Sequence, residues 1–142
     1  MTTRGILLNN PMNLMEVASI NWQGEIKPTH DPDGRLCEFD TMQNGLRAGI
    51  DNLKNKQVKH GLNTWATIIP VYAPPDENDT EAYIAAMEKW TGVDRNAQLN
   101  LLDPGFLAKA TAVMIRHEQG SDPCSADMIA QEVSAVLAIG VA

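Results

Sequence analysis

Aromatic side chains are scarce: Phe, Trp and Tyr together make up 5% of the chain. Any core must therefore be filled mainly by Leu, Ile, Val, Ala and Met, and the hydrophobic share of 44% is ordinary for a globular protein. Basic residues are also few, 11 Lys and Arg against 18 Asp and Glu, for a formal charge of −7. That balance argues against a dedicated nucleic-acid binder, which needs cations to neutralise phosphates, and against a polybasic membrane dock. No run approaches the roughly 20 apolar residues of a membrane span. Met1 to Asn10 is too short and too polar for a secretory leader, so the expectation is synthesis in a host cytoplasm without a signal peptide. The two cysteines, Cys37 and Cys124, are far apart and form no CxxC, which reads as two reduced thiols. No phosphate loop, dinucleotide glycine fingerprint, HExxH or GxSxG occurs, and His30, His60 and His117 are too scattered to suggest a metal. Neither a cofactor nor a metal is expected.

At 142 residues the chain suits one domain with one core. No repeat, low-complexity tract or linker divides it, so residues 1–142 are expected to form a single domain. Residues 1–40 lack a sustained helical period. Asn9, Asn10, Pro11 and Asn13 form one turn-rich cluster and Pro28, Asp31, Pro32, Asp33 and Gly34 another, the DPDG turn exploiting the fixed φ of Pro and the freedom of Gly. Short strands within Ile20–Ile26 and Leu36–Phe39 would make a small hairpin or irregular lobe.

From residue 41 the pattern becomes helical. Leu46, Ile50 and Leu53 mark one stripe of a helix over Thr41–Lys59, with Gly61 as its stop. Thr64 caps a short helix through Ile69 whose end Pro70 should disturb. After the APPDEND loop, Asp79 or Thr80 opens a helix with Tyr83, Met87 and Trp90 on one face, ending near Gly92. Asp103-Pro104 starts another, carrying Leu107, Ala110, Val113, Met114 and His117 and ending near Gly120. Ser125 caps a last helix with Met128, Ile129, Val133, Val136 and Leu137. The fold class is therefore mainly α with a small β contribution.

Two features carry candidate chemistry. Glu118 follows an apolar helix face at a helix C-terminus. Desolvation and the negative end of the helix dipole would both raise its pKa and suit it to general acid work, whereas the commoner reading is a solvated Glu at a helix end. Asn9, Asn10 and Asn13 can supply the donors and acceptors that sugar hydroxyls and N-acetyl groups need, or simply cap turns. Trp22 can stack on a sugar face or fill a small core, and core is the commoner fate.

Taken in order, Arg4-Gly5-Ile6, Asn9-Asn10-Pro11-x-Asn13, Trp22-x-Gly24, Phe39-Asp40, Gly45-Leu46-Arg47-Ala48, YAPPDENDTEAYI and HEQG resemble a phage and prophage protein family labelled virion structural protein or peptidoglycan hydrolase. The resemblance runs from about residue 4 to 120. The family pattern has Gly where Met12 stands and more Asn where Leu7 and Leu8 stand. AVMIRHEQG is similar to the helix bearing the acid Glu of lytic transglycosylases and glucosaminidases. PPDENDTEAYI looks like the segment whose Tyr lies beside that Glu, and NNPMNL looks like the Asn-rich segment after it. Here the Glu helix comes last, the order that a circular permutation of a lysozyme-like domain would give.

This resemblance implies a lysozyme-like helical domain acting on the peptidoglycan glycan strand as a lytic transglycosylase or muramidase. Glu118 would be the general acid and base, and Tyr83 would orient it. Asp40 would be the second carboxylate that a hydrolase needs, with Glu38, Asp33 and Asp122 as alternatives. Asn9, Asn10, Asn13, Trp22, Asn78 and Thr80 would contact substrate. The protein would be virion-associated or act in the periplasm or cell wall, in company with other virion or tail proteins. The rival reading is a non-catalytic virion or tail-associated structural protein on the same fold. An acidic interaction module ranks third, because the charge is spread along the chain.

Overall fold

The helix boundaries follow local capping chemistry. The computed structural model describes residues 2–76 and 78–139. A short helix α1 (Arg4–Leu7) opens the chain, where no sustained helical period was expected. Thr3 caps it, and its brevity explains why no periodicity announces it. Strands β1 (Glu25–Ile26) and β2 (Glu38–Phe39) pair antiparallel, Glu25 opposite Phe39 and Ile26 opposite Glu38. The hairpin is thus much shorter than Ile20–Ile26 and Leu36–Phe39 allow.

Helix α2 (Met42–Val58) begins where Thr41 accepts a bond from the Asn44 N–H, and Leu46, Ile50 and Leu53 are fully buried along it. Helix α3 (Trp65–Tyr72) starts in a reciprocal Thr64–Thr67 capping box. It continues two residues past Pro70, farther than Pro was expected to permit. Helix α4 (Thr80–Thr91) is capped by Asp79 and ends at left-handed Gly92. Its face differs from expectation. Tyr83 and Met87 are buried, whereas Trp90 is 61% exposed with Lys89 lying over its ring. Helix α5 (Pro104–Gln119) begins with an Asp103 cap and Pro104 and stops at left-handed Gly120. Helix α6 (Ala126–Ile139) starts where Ser125 Oγ accepts from the Met128 N–H.

The large core joins α2 through α6, with Trp65, Tyr83, Met87, Leu107, Met114 and Val133 at its centre. Helix α6 packs on α2 and α5, α4 on α5 and α3, and the hairpin on α2. Burying these side chains supplies most of the folding drive, about 1.5–3 kcal/mol for each large apolar residue. A second, smaller core of Leu14, Cys37, Phe39 and Ala48 lies under the N-terminal lobe, with Trp22 half-buried against it. Two glycines of α2 let that lobe dock. A Cβ on Gly45 would fall 1.7 Å from the Asn9 carbonyl oxygen, and one on Gly49 would fall 2.6 Å from Met12 Sδ. None of the described helices is long and apolar enough to cross a membrane.

Candidate active site

The last turn of α5 meets the N-terminal loop. Gly120 ends the helix immediately after Glu118 and Gln119, so both side chains leave from the same turn. Gln119 is buried, and its Nε2 donates to the Pro11 carbonyl at 2.8 Å and to Asn13 Oδ1 at 3.1 Å. The Thr3 hydroxyl donates to Gln119 Oε1. With its Oδ1 occupied in this way, Asn13 turns its Nδ2 to Glu118 Oε1 at 2.8 Å. Asn13 holds a left-handed backbone (φ 52°), which Asn tolerates better than most residues.

Glu118 is half-buried, and desolvation raises its pKa above the ordinary carboxylate value. The Asn13 amide, the Tyr83 hydroxyl and His117 all oppose that rise without cancelling it. Tyr83 is 2% exposed, lies 4.0 Å from the His117 ring between centroids, and meets Tyr72 edge-on at 6.3 Å. Its hydroxyl makes no hydrogen bond of normal length and angle. It is still near enough to Glu118 for the two groups to shift one another: burial first, then Tyr72 and Glu118, push the Tyr83 phenol well above its usual range. Tyr72 is raised in the same direction by burial and by Glu118, and its hydroxyl donates to the Met12 carbonyl.

Glu118 opens into a cleft of about 270 Å³. Asn13, Met15 and Leu36 line one wall, Val71, Tyr72, Ala73, Pro74 and Asn78 line the other, and Arg4, Asp31 and Arg35 also border it. A shallower hollow of about 150 Å³ shares Asn13, Met15, Val71 and Tyr72 with this cleft and extends to Trp22, Asn52 and Lys56. At these shared residues the two hollows adjoin as one groove, with Glu118 in the larger. Asp31 is buried and accepts the backbone N–H groups of Asp33, Arg35 and Leu36. Burial would raise its pKa, but these bonds and Arg4, 3.1 Å away, hold it below the ordinary value.

Of the residues singled out in the sequence, the fold brings Glu118, Asn13 and Asn78 to this cleft and Trp22 to the adjoining hollow, and sets Tyr83 in the core within interaction range of Glu118. The others sit elsewhere. Asn10 is fully buried, donates to the Leu14 and Cys37 carbonyls at 2.9 Å each, and accepts from the Leu14 N–H at 2.8 Å. Asn9 donates to the Phe39 carbonyl, and Thr80 to the Ala73 carbonyl. Asp40 accepts from Asn44 near Gly24 and does not line the cleft. Glu38 is bonded to His30, Asp33 to Arg4, and Asp122 to Arg116. Glu77 of the APPDEND loop lies outside the described residues.

Sequence reasoning passed over Arg4, Asp31, Tyr72 and Gln119. Each does sit inside or beside a quoted block, Arg4 in RGI, Asp31 in DPDG, Tyr72 before APP and Gln119 in HEQG. Their adjacency to motif residues was the available signal.

No family model matches the chain. Over 128 residues it is 41% identical to Protein P5 of Pseudoalteromonas phage PM2, covering 89% of this chain and 77% of that protein.

Proposed function

The chain belongs to the family of Protein P5 of Pseudoalteromonas phage PM2, and from that premise we propose that it is a phage protein that cleaves peptidoglycan glycan strands as a lytic transglycosylase on a permuted lysozyme-like domain. The observation that carries this reading is the state of Glu118. It is a desolvated carboxyl at a helix C-terminus, held by Asn13, backed by Tyr83, and open to a cleft that adjoins a second hollow.

In this reading protonated Glu118 gives its proton to the glycosidic oxygen as the bond from the muramic acid C1 breaks. Asn13 Nδ2 and the Tyr83 hydroxyl stabilise the carboxylate so formed. The muramic acid 6-hydroxyl then attacks C1 and returns its proton to Glu118, leaving an anhydro product. The choice over a two-carboxylate hydrolase rests on Asp31. It is the other carboxylate lining the cleft among the described residues, and it is buried and already engaged by three backbone N–H groups and Arg4.

The test is release of soluble muropeptides from purified peptidoglycan by wild type and by Glu118→Gln, with mass detection. Anhydro products that fall about 10²–10⁴-fold in the variant support the reading. Products with reducing ends would assign a muramidase instead. Absence of any release by folded protein would leave the second reading, a non-catalytic virion or tail-associated structural protein. That second reading draws on the exposed apolar side chains Met15, Val17, Ile20 and Val71 at or near the groove, which suit a protein contact.

A further inference from the structure

Below the hairpin, away from Glu118, three potential ligand atoms of Glu16, Glu25 and Cys37 lie within 4.8 Å of one another. Cys37 is fully buried, the Glu25 side chain is 2% exposed and that of Glu16 is 19% exposed. Glu16 Oε1 and Glu25 Oε2 are buried and have no hydrogen-bond partner. Such groups are costly to leave unsatisfied.

Lys27 is the nearby cation, with its Nζ 3.2 Å from Glu16 Oε1 and 4.0 Å from Glu25 Oε2. It does not meet the need. An ammonium has three N–H donors, and Lys27 directs its nitrogen at three carbonyls, Val17 at 3.2 Å, Ala18 at 3.3 Å and Ile20 at 2.6 Å. Glu16 Oε1 and Glu25 Oε2 therefore receive charge from Lys27 but no hydrogen bond, while the other Glu25 oxygen, Oε1, accepts from the Trp22 N–H at 3.0 Å. The Cys37 thiol, in turn, donates to the Met15 carbonyl at 3.4 Å and lies close enough to Glu25 for the two groups to interact. Burial, with Glu25 and Glu16 adding to it, pushes that thiol up to about 12.

We propose that Glu16, Glu25 and Cys37 form a structural binding site for one divalent cation of the zinc class. A thiolate beside two carboxylates favours zinc over magnesium or calcium, which take oxygen ligands only. Zinc bonds of about 2.0–2.3 Å bring ligand atoms within roughly 4 Å of each other, so the cluster closes by about an ångström or less. On binding, the S–H bond breaks, the proton leaves to solvent and sulfur bonds to the metal. The Met15 carbonyl loses its donor in that step. Charge then balances: two carboxylates and a thiolate against the metal and Lys27. The site ties the segment after Asn13 to β1 and to the residue just before β2, next to Met15 and Leu36 of the cleft wall. It stands independently of the glycan reading.

The experiment uses the full chain, stripped with a chelator and dialysed against Zn²⁺, with Co²⁺ as a spectroscopic probe. The expected results are one zinc per chain, a rise in Tm on saturation, and a near-ultraviolet thiolate-to-cobalt band that survives in Cys124→Ser and disappears in Cys37→Ser. Glu16→Gln, at the most exposed of the three positions, is expected to fold and to bind zinc at least tenfold more weakly. The proposal is overturned if folded wild type retains no zinc, if zinc binds with no thiolate band, as at surface histidines, or if Glu16→Gln binds as tightly as wild type.

Discussion

The side-chain amide of Asn13 donates to Glu118 Oε1 at 2.8 Å and so joins a left-handed loop residue to the last turn of α5 across 105 positions of the chain. A donor to a carboxylate favours its ionised form. In Asn13→Ala the desolvation of Glu118 acts with less opposition, and its pKa rises further. If Glu118 acts as an acid, the basic limb of the kcat/KM profile against pH moves to higher pH in this variant. Activity at the optimum falls on the order of tenfold or more, the worth of one charge-assisted hydrogen bond to the developing carboxylate. A profile that drops without moving would mean that Asn13 only shapes the loop.

Glu118 also ties stability to pH. Its folded pKa lies above the unfolded reference of 4.5. The folded state therefore holds the proton more tightly, and stability falls as pH rises from about the unfolded value through the folded one. Above that window wild type carries a desolvated charge that Glu118→Gln lacks, while the Gln carbonyl can still accept from Asn13. The variant should match wild type near pH 4 and exceed it at pH 8 by an amount on the order of a few degrees in Tm. Thermal melts across pH check this, and a gap that closes with rising pH would contradict the buried-carboxyl assignment.

The helices are legible in the sequence because their boundaries are local. Thr41, Thr64, Asp79, Asp103 and Ser125 each cap a helix through a bond to a backbone N–H a few residues on, and Gly92 and Gly120 supply the left-handed stops. Trp90 departs from the pattern because an apolar residue at helical spacing is a statement about one helix, while burial depends on whether a neighbour covers that face. The site is less legible for a related reason. Asn serves equally well as turn scaffold and as ligand contact, so nothing local separates Asn13, which reaches Glu118, from Asn10, which is spent on backbone groups. Asp40 stands out beside the first long helix, yet Asp31, folded inward by its own DPDG turn, is the carboxylate that joins Glu118 in lining the cleft among the described residues. Gln119 has no signature alone, since its role comes from meeting Pro11 and Asn13 from the far end of the chain.

Asn10 offers a direct check on that distinction. Its side chain makes three hydrogen bonds in a fully buried setting. Asn10→Ala leaves the Leu14 N–H without its acceptor and should cost at least about 2 kcal/mol. Measured by denaturant unfolding, the midpoint drops. At temperatures where the variant is folded, KM for glycan stays close to wild type. A raised KM with unchanged stability would return Asn10 to the substrate.

Close approach at Gly5 can be tested against an open position in a helix. A Cβ on Gly5 would lie 2.2 Å from Asn13 Oδ1, 2.5 Å from Gln119 Nε2 and 2.8 Å from the Asn10 backbone oxygen. Gly5→Ala should destabilise by about 1–3 kcal/mol and disturb the Asn13–Glu118 bond. Gly105, in the first turn of α5, would meet nothing closer than Asp103 Oδ2 at 3.8 Å. Gly105→Ala should stabilise by about 0.4–1 kcal/mol, because it restricts the unfolded chain without a clash. Calorimetry on both variants gives opposite signs if the loop is packed against α5 in this way.

Tyr83 separates function from stability most sharply. Its hydroxyl is buried without a hydrogen bond of normal geometry, while its ring packs on His117 and Tyr72. Tyr83→Phe keeps the ring and removes a hydroxyl that makes no hydrogen bond of normal geometry, so stability should hold or rise by up to about 1 kcal/mol. The hydroxyl also lowers the Glu118 pKa, so its loss raises that pKa and withdraws support from the carboxylate formed when Glu118 gives up its proton. Glycan cleavage should therefore fall in a protein that melts at or above the wild-type temperature. A variant that loses stability would mean that the hydroxyl is bonded in solution. One that keeps full activity would remove Tyr83 from the chemistry and leave Asn13 as the partner of Glu118.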